Sequence, residues 1–405
     1  MQITKNKTNM NKFESFSLPS ILLKNIDKMG FKTPTKIQEE SIPYALEGRD
    51  ILGSANTGTG KTGAFGIPLI SKLLADEKSS ALILTPTREL ACQIMVEIEK
   101  MLGKASSIKT ALLIGGDPMQ KQILQLKSKP RLIIGTPGRI NDHLTRKLLK
   151  LSNVNFLVLD ETDRMLDMGF SIQIDAIMEH LQSSRQTMLF SATMPKNIEI
   201  VAQKYLNNPV KVSVDEGKIH PSNIKHDIIQ ISEDKKYDSF LNELNIREGS
   251  VIVFVKTKRG AEQIAKKLIL IGHKASAIHG DLKQSKRAKV LGDFRKEKQR
   301  ILIATDVAAR GIDIPHIKHV INYNLPYAAE DYIHRIGRTA RGGAEGSALC
   351  FVTPEDTIKW KKIHNLMYPG DKLEIAVKKS PRKFKNKKFK SKRNFNKNID
   401  HKIYA

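Results

Sequence analysis

The chain has 405 residues, 40% hydrophobic and 27% charged, which excludes disorder throughout and leaves room for two or three domains. With 68 Lys and Arg against 42 Asp and Glu the formal charge is +26, a value that suits a polyanion, either nucleic acid or an anionic membrane surface. No run approaches the ~18 apolar residues of a membrane span, and the opening MQITKNKTNMNKFESF lacks a signal-peptide core, so neither insertion nor secretion is expected.

After a polar extension (1–12), the chain from 13 to 210 reads as an α/β lobe. The apolar DILGS leads into Ala55-Asn-Thr-Gly-Thr-Gly-Lys-Thr62. ALILTP (81–86) precedes a helix-like 88–102, and RLIIGTP (131–137), FLVLDE (156–161) and QTMLFSAT (186–193) follow, with a helix-like 196–206. Short apolar runs alternating with amphipathic stretches predict a parallel sheet flanked by helices. The polar KVSVDEGKIHPS (211–222) carries little periodicity and reads as a linker.

The pattern restarts at VIVFVKT (251–257) and continues through ASAIHG, ILIATD, KHVINYNLP and GSALCFVT (346–353), which predicts a second α/β lobe over 223–370. Residues 371–405 read as a disordered basic tail. Within it, 378–405 hold 12 Lys and Arg against the single acid Asp400, interleaved with Phe384, Phe389 and Phe395, a composition suited to phosphate attraction and base stacking. The two cysteines, Cys92 and Cys350, lie far apart in apolar segments and read as buried thiols of a reducing compartment, the cytoplasm.

In open parallel sheets ligands bind beyond the carboxyl ends of the strands, so residues just after each apolar run are the functional candidates. Residues 55–62 match a phosphate-binding loop with Ala55 in place of the first glycine, a pattern expected by chance only about 0.03 times in such a chain. The backbone around Thr57, Gly58, Thr59 and Gly60 would wrap phosphate oxygens, Lys61 would reach the β and γ phosphates, and Thr62 would hold magnesium. Asp160 and Glu161 end a buried strand, where one carboxylate can order the magnesium shell and the other orient or deprotonate water. In His334-Arg335-Ile-Gly-Arg338-Thr-Ala-Arg341 arginines recur every third residue near one helix face. Arginine reaching from a second body would stabilise a transferring phosphoryl group, with ATP seated between the lobes.

GFKTPTKIQ (30–38), ANTGTGKT, PTRELA (86–91), Gly115-Gly116, TPGR (136–139), DETD (160–163), SAT (191–193), ATDVAARGID (304–313) and HRIGRTAR (334–341) occur in that order. Over about residues 13–355 the chain thereby resembles the DEAD-box ATP-dependent RNA helicases, and DRMLDMGF (163–170) is most similar to their bacterial RhlE-type branch. The resemblance implies two tandem RecA-like lobes. It implies that Phe31 stacks on adenine with Phe16 upstream, that Gln38 binds the adenine edge, that Ser191 and Thr193 couple hydrolysis to lobe movement, that Asp306 bonds the ribose and that His334 bridges toward the carboxylates. RNA contacts carried over by it fall on Thr87, Arg88, Gly116, Thr136 and Arg139, and on Thr257, Arg287 and Thr305, groups suited to phosphate and 2'-hydroxyl oxygens.

In three places the chain departs from the family pattern. Thr162 replaces a usual alanine, Ala340 a usual glycine and Asn56 a usual glutamine. None is a phosphate or metal ligand, although Thr162 is expected to bear on the coupling to Ser191 or His334. The expected activity is RNA-stimulated ATP hydrolysis, with magnesium, coupled to local duplex separation by a monomer. Proteins of ribosome assembly or RNA decay are the expected partners, and an ATP-gated RNA clamp with little unwinding is the alternative.

Overall fold

The computed structural model describes residues 13–55, 58–214, 223–309, 314, 316–340, 344–368 and 370. The polar extension, Asn56, Thr57, most of the linker, Arg341 and the basic tail therefore lie outside the described residues.

The first lobe is a seven-stranded sheet of β1 (Ile51–Ser54), β2 (Ser80–Leu84), β3 (Thr110–Leu113), β4 (Leu132–Gly135), β5 (Val154–Leu159), β6 (Gln186–Ser191) and β7 (Val210–Ser213), in the order β3-β4-β2-β5-β6-β1-β7. The second has six strands, β8 (Ile224–Gln230), β9 (Val251–Phe254), β10 (Ala275–Ile278), β11 (Ile301–Ala304), β12 (His319–Asn322) and β13 (Gly346–Val352), in the order β10-β11-β9-β12-β13-β8. Every pairing is parallel.

Helices cover both faces of each sheet, which is why the strands read as unbroken apolar runs. Along β2, Ala81 and Ile83 point into the core that contains Phe65, Ile98 and Phe190, whereas Leu82 and Leu84 point into the opposite one around Leu157, Met165 and Ile198. Along β9, Val251 and Val253 likewise part from Ile252 and Phe254. The strand period of two thus feeds two cores from one run.

Sequence patterning missed β3, β7 and β8, and all three are edge strands. An edge is covered less completely, so β7 (VKVS) and β8 (IKHDIIQ) tolerate polar residues that break an apolar run. The linker assignment needs correcting on this account. Lys211, Val212 and Ser213 pair with Leu52, Gly53 and Ser54, and the Val214 amide donates to the Ser54 carbonyl at 3.0 Å. The first lobe therefore runs to at least Val214, four residues past the expected boundary at 210.

The departure at Ala340 has a backbone meaning, since its φ is +57°. That is the left-handed region, where a Cβ costs about 1–2 kcal/mol and glycine does not incur the cost. Ala340→Gly is expected to stabilise the second lobe by about 1 kcal/mol, read as a rise of about 2–4 °C in its thermal midpoint. A lowered midpoint would show that the alanine methyl contributes packing that outweighs the strain.

Candidate functional site

Lobe one brings its phosphate loop against the helix Lys36–Leu46. Gly60, at φ +94°, starts the helix Lys61–Ala75, and a Cβ there would stand 2.7 Å from the Gln38 amide nitrogen and 2.8 Å from Thr35 Oγ1. Glycine thus allows the two segments to touch. Gln38 Oε1 accepts the Thr35 N–H and its Nε2 donates to the Gly60 carbonyl, both at 2.9 Å, so one buried amide caps its own helix and fastens it to the loop. Lys61 is buried, its Nζ donating to the Ala55 carbonyl at 3.0 Å.

These groups line an interlobe cleft of about 970 Å³ that includes Phe31, Gln38, Gly58, Gly60, Lys61, Thr62, Asp160 and Glu161, with Gln284, Leu291 and Arg295 from the second lobe. Thr59 is buried in the same loop. Phe16 is not among the lining residues. Its ring meets Phe13 edge-on at 6.0 Å, and Phe13 packs on Phe31 at 5.9 Å, so the two upstream rings join Phe31 in one aromatic cluster.

β5 delivers Asp160 and Glu161 to the cleft floor. Burial pushes the Asp160 carboxyl up to about 7, Lys61 opposing the rise and the Glu161 charge adding to it. A buried carboxylate short of positive charge, with the Thr62 hydroxyl also lining the cleft, is a hard oxygen set that fits magnesium. No cluster of three or more metal-binding side chains occurs among the described residues, so phosphates and water would complete the shell. Glu161 itself is left-handed (φ +50°, ψ +52°), a strain of about 1–3 kcal/mol for a residue with a side chain, located where the chemistry is expected.

Asp163, unassigned from sequence, organises the neighbouring turn. Its Oδ2 accepts the Ala192 and Thr193 amides at 3.2 and 3.3 Å and the Thr193 hydroxyl at 3.2 Å, while Ser191 Oγ donates to the Thr193 carbonyl at 2.6 Å. Thr162 is fully buried and its hydroxyl donates to the Leu159 carbonyl at 3.2 Å. The extra hydroxyl is spent on its own strand, and engages neither Ser191 nor His334.

In the second lobe both Asp306 oxygens receive Arg335, at 2.6 and 2.7 Å, and that guanidinium also donates to Asn322 Oδ1 and the Asn324 carbonyl and lies over the Phe254 ring. Asp306, His334 and Arg338 line a separate, smaller pocket, not the main cleft. Arg338 Nε donates to the His334 carbonyl at 3.2 Å.

Two buried ion pairs join the lobes. Arg164, three residues after Glu161, meets Asp331 at 2.5 Å, which sets the start of the helix Ala329–Ile336, and hence the His334 and Arg338 segment, against the carboxylate turn. Glu89 receives Arg287 on both oxygens, at 2.7 Å from Nε and 2.6 Å from Nη2. Arg287, expected on RNA, bonds Glu89 and the His279 carbonyl. Glu89 lay inside PTRELA, but nothing in the sequence could show that its partner sits 198 positions away.

The first-lobe RNA candidates follow three adjacent strands, β3, β4 and β2. Arg88 packs over Gly115 and Gly116 so closely that a Cβ at Gly116 (φ +83°) would overlap its guanidinium. Burial first, then the charges of Arg287 and Arg139, lower the Arg88 pKa against the opposite pull of Glu89 and Asp117. Cations crowded in this way gain from an anion. Thr87 and Thr136 occupy N-cap positions, the Thr87 oxygen accepting the Leu90 amide. Thr257 caps its helix through the Gly260 amide and is exposed, and Thr305 is buried at the end of β11.

A DEAD/DEAH box helicase model matches residues 35–201, and a helicase conserved C-terminal domain model matches 235–343. The chain is 44% identical over 356 residues, 87% of its length and 68% of the relative's, to the DEAD-box ATP-dependent RNA helicase CshA of Bacillus cereus (strain ATCC 10987 / NRS 248). Among solved structures it is similar to S. cerevisiae Dbp5 bound to RNA and ADP BeF3, at 34% identity with a TM-score of 0.79, covering 88% of this chain and 94% of that one. Against a point variant of Dbp5 bound to a variant of Gle1 and IP6, at 34% identity and covering 88% and 92%, the score is 0.68.

Because the Thr162 hydroxyl is locally satisfied, Thr162→Ala is expected to leave ATP turnover within about twofold and to cost under about 1 kcal/mol of stability. Steady-state phosphate release and thermal melting check both. A large loss of turnover would reveal a second role for the hydroxyl.

Proposed function

Since the chain belongs to the DEAD-box ATP-dependent RNA helicases, we propose that it hydrolyses ATP in response to RNA and uses the cycle to separate short duplexes or remodel RNA–protein complexes. The observation that carries the reading is the division of labour between the lobes, with the phosphate loop and paired carboxylates lining the cleft from one lobe and the His334–Arg338 segment of the other, which lines a smaller pocket, held against the carboxylate turn by Arg164 and Asp331.

Lys61 leaves the Ala55 carbonyl to meet the β and γ phosphates, and the glycine-rich backbone holds their oxygens. Phe31 stacks on the base. Gln38 reads adenine through the N–H and the oxygen lone pair that its two backbone bonds leave spare. Thr62 and Asp160 would hold magnesium, largely through water, and the ion would supply charge neutralisation at the phosphates. Glu161 takes the proton of the attacking water, while Arg338 and Arg341 stabilise charge on the transferring γ-phosphoryl group. Asp306, oriented by Arg335, bonds the ribose.

Arg88, Gly116, Thr136 and Arg139 form the RNA face of the first lobe, and Thr257 and Thr305 extend it. These groups contact backbone and carry no base code, so binding is sequence-independent. Arg287 acts at one remove, its cross-lobe pair with Glu89 closing the two halves of that face. Cysteines placed in different lobes, one on a helix of the first and one in β13, support a reducing cytoplasm. The protein works as a monomer, with ribosome-assembly or RNA-decay proteins as its partners.

Glu161→Gln is expected to lower ATP turnover by about a hundredfold or more while ATP-dependent RNA binding persists, because the base is lost and Asp160 is kept. Phosphate release and RNA anisotropy with ATP present measure the two. Turnover near that of the unaltered protein would remove Glu161 from the mechanism, and slow RNA-stimulated phosphate release by the unaltered protein, with RNA held in the presence of an ATP analogue, would favour the clamp.

A further inference from the structure

One buried pair of side chains has no part in the readings above. Gln122, 1% exposed on the helix Met119–Lys127, donates through Nε2 to the Ile114 carbonyl at 2.9 Å and the Asp117 carbonyl at 3.3 Å, the residues on either side of Gly115-Gly116. Its Oε1 stands 3.1 Å from His143 Nε2. Two carbonyls can only accept, so the amide nitrogen must face them and the amide oxygen must face the imidazole. His143 therefore carries its proton on Nε2, and its buried Nδ1 has no hydrogen-bond partner. His143 and Arg139 share the helix Pro137–Thr145, and Arg139 Nη1 donates to the same Asp117 carbonyl at 3.2 Å.

One amide thus spans the double-glycine turn, and the histidine behind it ties that amide to the helix that carries Arg139. We propose that Gln122, backed by His143, is the positioning residue of the first lobe's RNA surface. It fixes the spacing of Arg88, Gly116 and Arg139 before RNA arrives, so that ordering them costs nothing on binding. The proposal rests on the assignment of that face to RNA.

The test measures affinity of the full chain for a short labelled single-stranded RNA in the presence of a non-hydrolysable ATP analogue, beside analogue affinity, turnover at saturating RNA and amide hydrogen exchange. Gln122→Met is expected to raise the RNA Kd about tenfold and to speed exchange across 113–117, with analogue affinity and saturated turnover within about twofold. His143→Met, which keeps both carbonyl contacts, is expected to raise the RNA Kd about two- to threefold by the same route. A merely structural role would lower analogue affinity and turnover together with RNA binding. Arg139→Ala serves as the benchmark. If it weakens RNA binding while Gln122→Met does not, positioning is overturned and the RNA face stands; if neither does, the face and the proposal fall together. Should Gln122→Met not fold, an unchanged RNA Kd and unchanged exchange across 113–117 in His143→Met would overturn it.

Discussion

Parallel pairing is the constraint on which the rest depends. A parallel strand cannot return by a tight turn, so each must be followed by a crossover that packs on the sheet, and every strand then ends at the same edge. The phosphate loop after β1, the carboxylates after β5, the SAT turn after β6 and the arginine and glycine turns after β2, β3 and β4 are neighbours for that reason. Strand order then sorts them. β5, β6 and β1 form one half of the edge, where nucleotide groups gather, and β3, β4 and β2 form the other, where the RNA candidates gather.

The second constraint is desolvation at the lobe boundary. Glu89 and Arg287 are each 4% exposed, and Arg164 and Asp331 are 4% and 13% exposed. A pair buried this deeply adds little net stability, yet removal of one partner strands a charge at a cost of about 3–5 kcal/mol. Such contacts act as a test of fit between the lobes. They are satisfied when the two lobes meet in register and are expensive when they nearly do. Arg164 links this test to the carboxylate turn directly, since it follows Glu161 by three residues. That glutamate is itself held in a strained backbone conformation.

Inside each lobe, single side chains bind several backbone groups at once. Gln38 joins a helix cap to the phosphate loop, Asp163 gathers two amides and a hydroxyl of the SAT turn, and Arg335 holds both oxygens of Asp306 while lying on Phe254. Each removes freedom from a segment that must later meet a ligand. Preorganisation of this kind lowers the ordering cost at the moment of binding.

Much was legible in the sequence alone. Strands covered on both faces, such as ALIL and VIVF, are apolar without interruption, and the functional turns carry glycines, carboxylates and arginines whose chemistry is readable from residue type and order. From these the two α/β lobes, the phosphate loop and the carboxylate pair could be placed. What the chain could not reveal was pairing at a distance. Edge strands β7 and β8 escaped because a half-covered strand need not be apolar, and with β7 went the true end of the first lobe. Arg287 could be read as a free cation, and only the tertiary structure gave it Glu89 as a partner. Phe16 could be named as an upstream aromatic, and only packing showed Phe13 as the ring that contacts both it and Phe31. Residue type sets what a side chain can do, whereas its partner is decided by where two distant segments are brought together once water is excluded.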